Sequence, residues 1–553
     1  LSYLLSILLV ASVCAPGLAQ DVPGARPGGR PRVVQAGVSS KPDQGQLDRI
    51  VAMLEAALRQ PQPQSAYEDL LQSESLAYVI AAIGIAKPET AIRLFDSLAQ
   101  TYKGKDLEDV RATTARGLAR VLRGPHRDRF LKSCSKPEHR DALTDCLLAT
   151  TWESAAELTN FAKPIGLKAV EGFALLIAAG ELKFKNRPWE TVVELAATTV
   201  APGSQPEGQQ VARDVYDAFL KQDRDQVKKR LEALSARVPN DPSAVGAIVA
   251  VGLPLRLIQM KEGRSESEHA TAFARFVCEA SSAIESNLAA AILLGWVAES
   301  FPQGPPEFLS TRLKARWDNP LLDGPLSFPL ATAAFYSFST MLRKDPQWAS
   351  GLAEKLVNWL LSQPNAKGYY HMIGTIAGVM AGHNPEKAME FAGRVRSLEW
   401  HANALRSIYR EWAKADPAAA LKSVAGHVLP MREPDRLRLR NDLRLEASVG
   451  AAKTNPLLAA EQIATLPDVS VRFEQGVCLI APELARHDLA RAINLLTPPP
   501  GTPLVADAAE ALAWIVLNSR GINIDPTGPD FHPDRVRPRN FWPGPRLSQP
   551  IRF

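Results

Sequence analysis

Residues 413–422 read AKADPAAALK, and three further stretches share the pattern: RKDPQWASG at 343–351, GHNPEKAME at 382–390 and KTNPLLAAE at 453–461. In each, Asp or Asn precedes a proline, and an alanine follows the proline at the third position. The sets are Asp345-Pro346 with Ala349, Asn384-Pro385 with Ala388, Asp416-Pro417 with Ala420, and Asn455-Pro456 with Ala459. A degenerate fifth copy has Leu489 where the proline would be, after Asp488 and before Ala492. The anchors lie 39, 32, 39 and 33 residues apart.

Each element has a physical reading. Asp and Asn cap a helix by accepting hydrogen bonds from its first free N–H groups, and proline suits the first helical position because it has no N–H to leave unpaired. An alanine one turn further in lets a neighbouring helix approach closely. Met341, Met380, Trp412, Ala451 and Leu484 stand five residues upstream of the anchors and close a preceding amphipathic helix. The unit is therefore helix, short turn, helix, and stacking such units buries a continuous core. Asp345, Pro346, Asn384, Pro385, Asp416, Pro417, Asn455, Pro456 and Asp488 are read as structural repeat caps, joints rather than catalytic or ligand-binding groups.

Around the joints the pattern is helical from Asp48 to about Asn518, with apolar residues recurring at three and four, as in Leu405, Ile408 and Trp412. No alternating strand-like stretch of useful length occurs, so an all-α body is expected. Residues 1–19 read as a signal peptide, 20–47 as a Pro/Gly-rich linker, and 48–300 as an N-terminal all-α domain with possible degenerate repeats. Residues 301–329 (FPQGPPEFLSTRLKARWDNPLLDGPLSFP) read as a Pro-rich connecting loop, 330–519 as the repeats, and 520–553 as a Pro/Arg-rich tail. APGSQPEG at 201–208 reads as a shorter loop, and ARDVYDAFLKQDRDQVKKRLEAL at 212–234 as one exposed amphipathic helix. In the N-terminal half Lys87-Pro88 with Ala91 fits the joint, while Pro125, Pro164, Pro202 and Pro242 keep the spacing without the alanine.

The phrase WAKADPAAALKSV, with NPEKAMEFAGRV before it and NPLLAAEQIATL after it, resembles the alanine-rich helical-hairpin repeats of bacterial proteins, relatives of the tetratricopeptide repeat. The second-helix alanine and the period match a tetratricopeptide unit, whereas its usual glycine and tyrosine pattern in the first helix is absent. The resemblance spans residues 330–519. It implies an α-solenoid of stacked helical hairpins that binds other molecules through an extended surface. The alternative architecture is an α/α toroid, the ring of hairpins on which secreted polysaccharide-cleaving enzymes are built.

Compartment and chemistry narrow the function classes. The start, LSYLLSILLVASVCAPGLAQD, has an apolar run from Leu4 to Val13 followed by small residues, read as a secretory signal cut near Ala19. The expected location is secreted or periplasmic, with no membrane span after cleavage. Of the net charge of +5, residues 1–47 contribute four basic against two acidic groups and residues 520–553 six arginines against three aspartates, which leaves the body near neutral. A neutral body argues against nucleic acid as the partner and leaves protein as the expected one.

G-x-S-x-G, H-E-x-x-H and a phosphate-cradling glycine loop are missing, so no catalytic or metal-binding residue and no cofactor is assigned. His383 and His487 precede caps and read as positional, His371 as structural, and Glu153 with Glu157 as helix charges. Trp348, Trp359, Trp400 and Trp412 read as core residues. Cys278 and Cys478 read as buried small hydrophobes. Cys134 and Cys146 flank Ser135-Lys136-Pro137 and could pair, but two α-helices folding back at Pro137 would put Cys134 opposite about residue 140.

Overall fold

The structure is a computed structural model that describes residues 42–58, 66–198, 207–238, 241–262, 267–284, 286–301, 304–318, 328–363, 366–426, 433–467, 477–498, 504 and 506–522. The signal peptide, the cleavage site near Ala19 and nearly all of the 520–553 tail lie outside the described residues. Everything regular among the described residues is helical. In chain order the α-helices begin with α1 (Gln44–Leu58), α2 (Ala66–Ala86), α3 (Pro88–Thr101), α4 (Gly104–Val121), α5 (Gly124–Cys134), α6 (Leu143–Ala149), α7 (Ala155–Ala162), α8 (Ala169–Phe184) and α9 (Glu190–Thr198). Next come α10 (Glu207–Lys221), α11 (Arg224–Arg237), α12 (Pro242–Ala250), α13 (Leu253–Glu262), α14 (Glu268–Ala280), α15 (Asn287–Glu299), α16 (Glu307–Trp317), α17 (Phe328–Met341) and α18 (Pro346–Ser362). The last are α19 (Tyr370–Ala381), α20 (Pro385–Gly393), α21 (Leu398–Ala415), α22 (Pro417–Gly426), α23 (Glu433–Ala451), α24 (Pro456–Ala464), α25 (Cys478–Ala485), α26 (Leu489–Leu496) and α27 (Ala506–Ser519).

The chain divides into two compact units, residues 87–359 and residues 1–86 joined with 360–553. The division does not fall at 301–329, and that stretch is not simply a loop: Glu307–Trp317 is a helix with Leu309, Leu313 and Trp317 buried. Its prolines flank the helix, Pro302, Pro305 and Pro306 before it and Pro320, Pro325 and Pro329 after it, and Pro306 is the N-cap residue, with no backbone N–H to leave unpaired. Two other boundaries shift in the same way. The 20–47 linker ends early because α1 starts at Gln44 and buries Leu47, and the 201–208 loop ends early because α10 starts at Glu207. The single helix expected over 212–234 is two, broken where Gln222 takes φ 61° and Asp223 caps α11.

In the discontinuous unit, alternate helices stack, α19 on α21, α21 on α23 and α25 on α27, while α20, α22, α24 and α26 each touch the helices before and after them. A stack of this kind leaves its last helix with an apolar face to cover. Here the first described helix pair does so: α1 and α2 pack on each other and on α27, with Tyr78 and Trp514 edge to face at 6.0 Å. The other unit repeats the arrangement where the sequence repeat had faded. Its α4, α6, α8, α10, α12, α15 and α17 contact one another in succession, and α11, α14 and α16 form a second row.

The joints are built alike. The N–H of Asp345, Asn384, Asp416, Asn455 and Asp488 donates to the carbonyl of Met341, Met380, Trp412, Ala451 and Leu484 at 2.7–2.8 Å, closing the first helix. The side chain of each then accepts the N–H three residues on, from Trp348, Lys387, Ala419, Leu458 and Arg491, at 2.9–3.1 Å. Ala349, Ala388, Ala420, Ala459 and Ala492 are all fully buried. Stacked helices approach closely through glycine as well. A Cβ on Gly450 of α23 would overlap the Arg410 carbonyl of α21, and one on Gly295 of α15 would lie 2.5 Å from the Ala333 carbonyl of α17.

Two outcomes follow for stability. Asp416→Ala leaves the N–H of Ala419 unpaired and should lower the urea-unfolding free energy by about 0.5–2 kcal/mol. Gly450→Ala must push α21 and α23 apart and should cost about 1–3 kcal/mol, more than the same change at Gly351, where nothing stands within 4 Å.

Candidate functional site

Each cap residue is engaged inside its own turn, so the nine residues singled out by the repeat do not converge on a common centre. His383 and His487 have the same local role, donating their backbone N–H to the Met380 and Leu484 carbonyls at 2.9 Å. His371 is partly buried and its ring lies 6.1 Å from that of Trp400; burial holds its pKa below the ordinary value. The acid pair Glu153 and Glu157 turns out to be a cap: Glu157 accepts the N–H of Glu153 at 2.7 Å, and Ser154 accepts that of Glu157 at 3.1 Å. Of the four tryptophans read as core, only Trp359 is buried. Trp348, Trp400 and Trp412 are half-exposed, and Trp348 Nε1 donates to Asp318 at 3.0 Å. Among the described residues no group of three or more His, Cys, Asp or Glu is placed to hold a metal ion.

The concentrated polar chemistry lies instead between stacked helices. In the continuous unit Arg256 of α13 pairs with Glu299 of α15, its guanidinium lies 5.1 Å from the centre of the Trp296 ring, and Tyr336 of α17 completes the cluster. Burial opposes the Arg256 charge, but Glu299 and Tyr336 together outweigh it and raise the pKa; burial, reinforced by Glu299, pushes the Tyr336 phenol well above its ordinary value. The arginine therefore stays charged and the phenol stays a proton donor. In the same unit, Tyr216 Oη and His269 Nε2 lie 2.8 Å apart, with His269 stacked on Phe184 at 4.3 Å. Arg140 reaches Glu171 at 2.6 Å and the Ile165 and Gly166 carbonyls at 3.2 and 2.8 Å, tying α8 to the segment before it.

In the discontinuous unit two parallel rungs cross from α21 to α23: Arg406 to Asp442 and Arg410 to Glu446, each at 2.6 Å. The spacing of four in both helices puts both rungs on one face. Burial raises the Glu446 pKa, and Arg410 opposes that rise. These clusters were not singled out from the sequence, because the partners stand 36 and 43 residues apart and only the stacking brings them together. Their chemistry is ion pairing across helix interfaces, with each carboxylate already met by a guanidinium.

No described helix is long and apolar enough to cross a membrane. Comparison of the chain with protein-family models, with curated proteins and with solved structures found no match.

Buried pairs make a sharp prediction. Glu446→Leu removes the carboxylate that pairs with Arg410 and should destabilise by about 3–5 kcal/mol, whereas adding Arg410→Met should recover most of that loss. Equilibrium urea unfolding of the two single variants and the double variant gives the coupling directly.

Proposed function

We propose that this chain is an exported helical-repeat protein of the tetratricopeptide-like kind, an α-solenoid whose stacked hairpins hold another protein. The observation that carries the reading is a constant joint beside a changing surface. All five joints use the same backbone and side-chain hydrogen bonds and bury the same alanine. The residue immediately after each anchor is exposed in every copy and ranges from polar to charged to apolar: Gln347, Glu386, Ala418, Leu457 and Ala490. A scaffold that keeps its joints and varies its outward positions suits recognition of a partner by surface complementarity. Leu457, 44% exposed at such a position, is an apolar contact of the kind a protein partner would cover. Export rests on the apolar run Leu4 to Val13 and the small residues before Gln20.

The test is affinity capture from the native extracellular or periplasmic fraction, using protein lacking residues 1–19 and, in parallel, a version ending at Arg520. Retention of one defined protein by both, weakened at least tenfold by Leu457→Glu in an otherwise stable fold, supports binding by the helical body. Turnover of an extracellular polysaccharide by the purified chain, with no protein retained, would replace this reading by the toroid enzyme. Asp416→Ala separates joint from site: partner affinity of its folded fraction should stay within about twofold, since the cap acts only on stability.

A further inference from the structure

The pair Cys134 and Cys146 sits apart from every cluster described above. Cys134 is the last residue of α5 and Cys146 lies one turn into α6. Between them the chain does not fold back as two α-helices: Pro137–Ala142 is a 3-10 helix. Its rise of about 2.0 Å per residue, against about 1.5 Å for an α-helix, carries the chain further per residue and changes the phase at which α6 begins. As a result α5 and α6 are in contact, and Cys134 stands close enough to Cys146 to act on its titration rather than lying two turns from it. Both side chains are fully buried in the seam of the two helices, and Phe130, Leu131, Leu143 and Leu147 of the same helices are buried as well. The other groups of the seam are spoken for. Asp145 is held by Arg116 at 2.8 Å, and the His139 ring stacks on Phe95 at 5.2 Å.

We propose that Cys134 and Cys146 are a redox-closable pair, joined by exchange with a disulfide oxidant into a cross-link between α5 and α6. One cysteine, as thiolate, attacks a sulfur of the oxidant disulfide and expels the oxidant's first thiolate, leaving a mixed disulfide. The second cysteine, also as thiolate, attacks the protein sulfur of that mixed disulfide and expels the oxidant's other half. The two protons lost by the cysteines end on the two released thiols, so the protein is oxidised by two electrons and the oxidant reduced by two. Burial pushes the Cys146 thiol well up, and its neighbours Cys134 and Asp145 push it further. Thiolate is therefore scarce in the closed seam, and the bond forms when α5 and α6 part, during folding or local opening.

The test uses the full chain with Cys14→Ser, so that four thiols report. The protein is unfolded, refolded to equilibrium in a buffer of oxidised and reduced glutathione, then denatured, alkylated and mapped by mass spectrometry. The expected product is a single Cys134–Cys146 link with Cys278 and Cys478 alkylated, a higher thermal midpoint than the reduced form, and reversal by dithiothreitol. Protein oxidised without prior unfolding should reach the same product at least about tenfold more slowly. Cys146→Ser should refold and leave Cys134 alkylatable, while Cys278→Ala should not alter the link. The proposal is overturned if Cys134 and Cys146 emerge alkylated after refolding, if they carry glutathione instead of each other, or if the link lowers the thermal midpoint.

Discussion

A helix that ends and another that begins one residue later leave backbone donors and acceptors with nowhere to go unless a single residue serves both. Asn384, Asp416, Asn455 and Asp488 do this with φ between −140° and −148° and ψ between 74° and 87°. The N–H finishes the outgoing helix, the carbonyl starts the incoming one, and the side chain takes the N–H three residues later. Because these torsions barely vary, each hairpin leaves its joint in a similar direction. The buried alanine can then meet its neighbour in the same way each time. Alternate stacking in the discontinuous unit depends on that constancy more than on any one apolar contact.

What could be read from sequence follows from how local each signal is. A cap, a proline and an alanine lie within five residues, and their pattern marks a joint without knowledge of anything distant. In the residue 87–359 unit several joints keep the same cap chemistry with a different residue. Ser154, Ser267 and Ser286 accept the N–H three residues on at 3.1, 2.9 and 3.3 Å, and no proline follows them. Serine caps as well as Asp does but is far less conspicuous without its proline, so a search anchored on proline passes over these joints. At Lys87 the opposite holds. The proline and Ala91 are kept, the Ala91 N–H donates to the Lys87 carbonyl at 3.1 Å, and there is no side-chain cap.

The remaining differences come from information that a linear pattern does not carry. Pro-rich flanks hide α16, because prolines stand on both sides of the helix and none within it. A left-handed residue at Gln222 split one amphipathic pattern in two without disturbing its charge alternation. The 3-10 segment after Lys136 moved Cys146 through a phase that α-helical counting could not supply. The ion pairs of α21 and α23 became visible only once the two helices were adjacent.

Those ion pairs address a problem that the joints leave open. Alanine-faced and glycine-faced helices approach closely, but small side chains give little resistance to sliding along the axis. Arg406 with Asp442 and Arg410 with Glu446 span one helix pair at two points one turn apart, and a slip of even part of a turn would separate both. Arg256 with Glu299 crosses from α13 to α15, and Arg116 with Asp145 from α4 to α6. Removing such charges from water opposes folding, and replacement by apolar groups of similar volume often costs nothing in stability. Geometry is what the pairs add: a carboxylate and a guanidinium satisfy each other only at one offset, whereas two leucines pack at several. Cap torsions set the direction in which each hairpin leaves its joint, and ion pairs set how far along its neighbour it comes to rest.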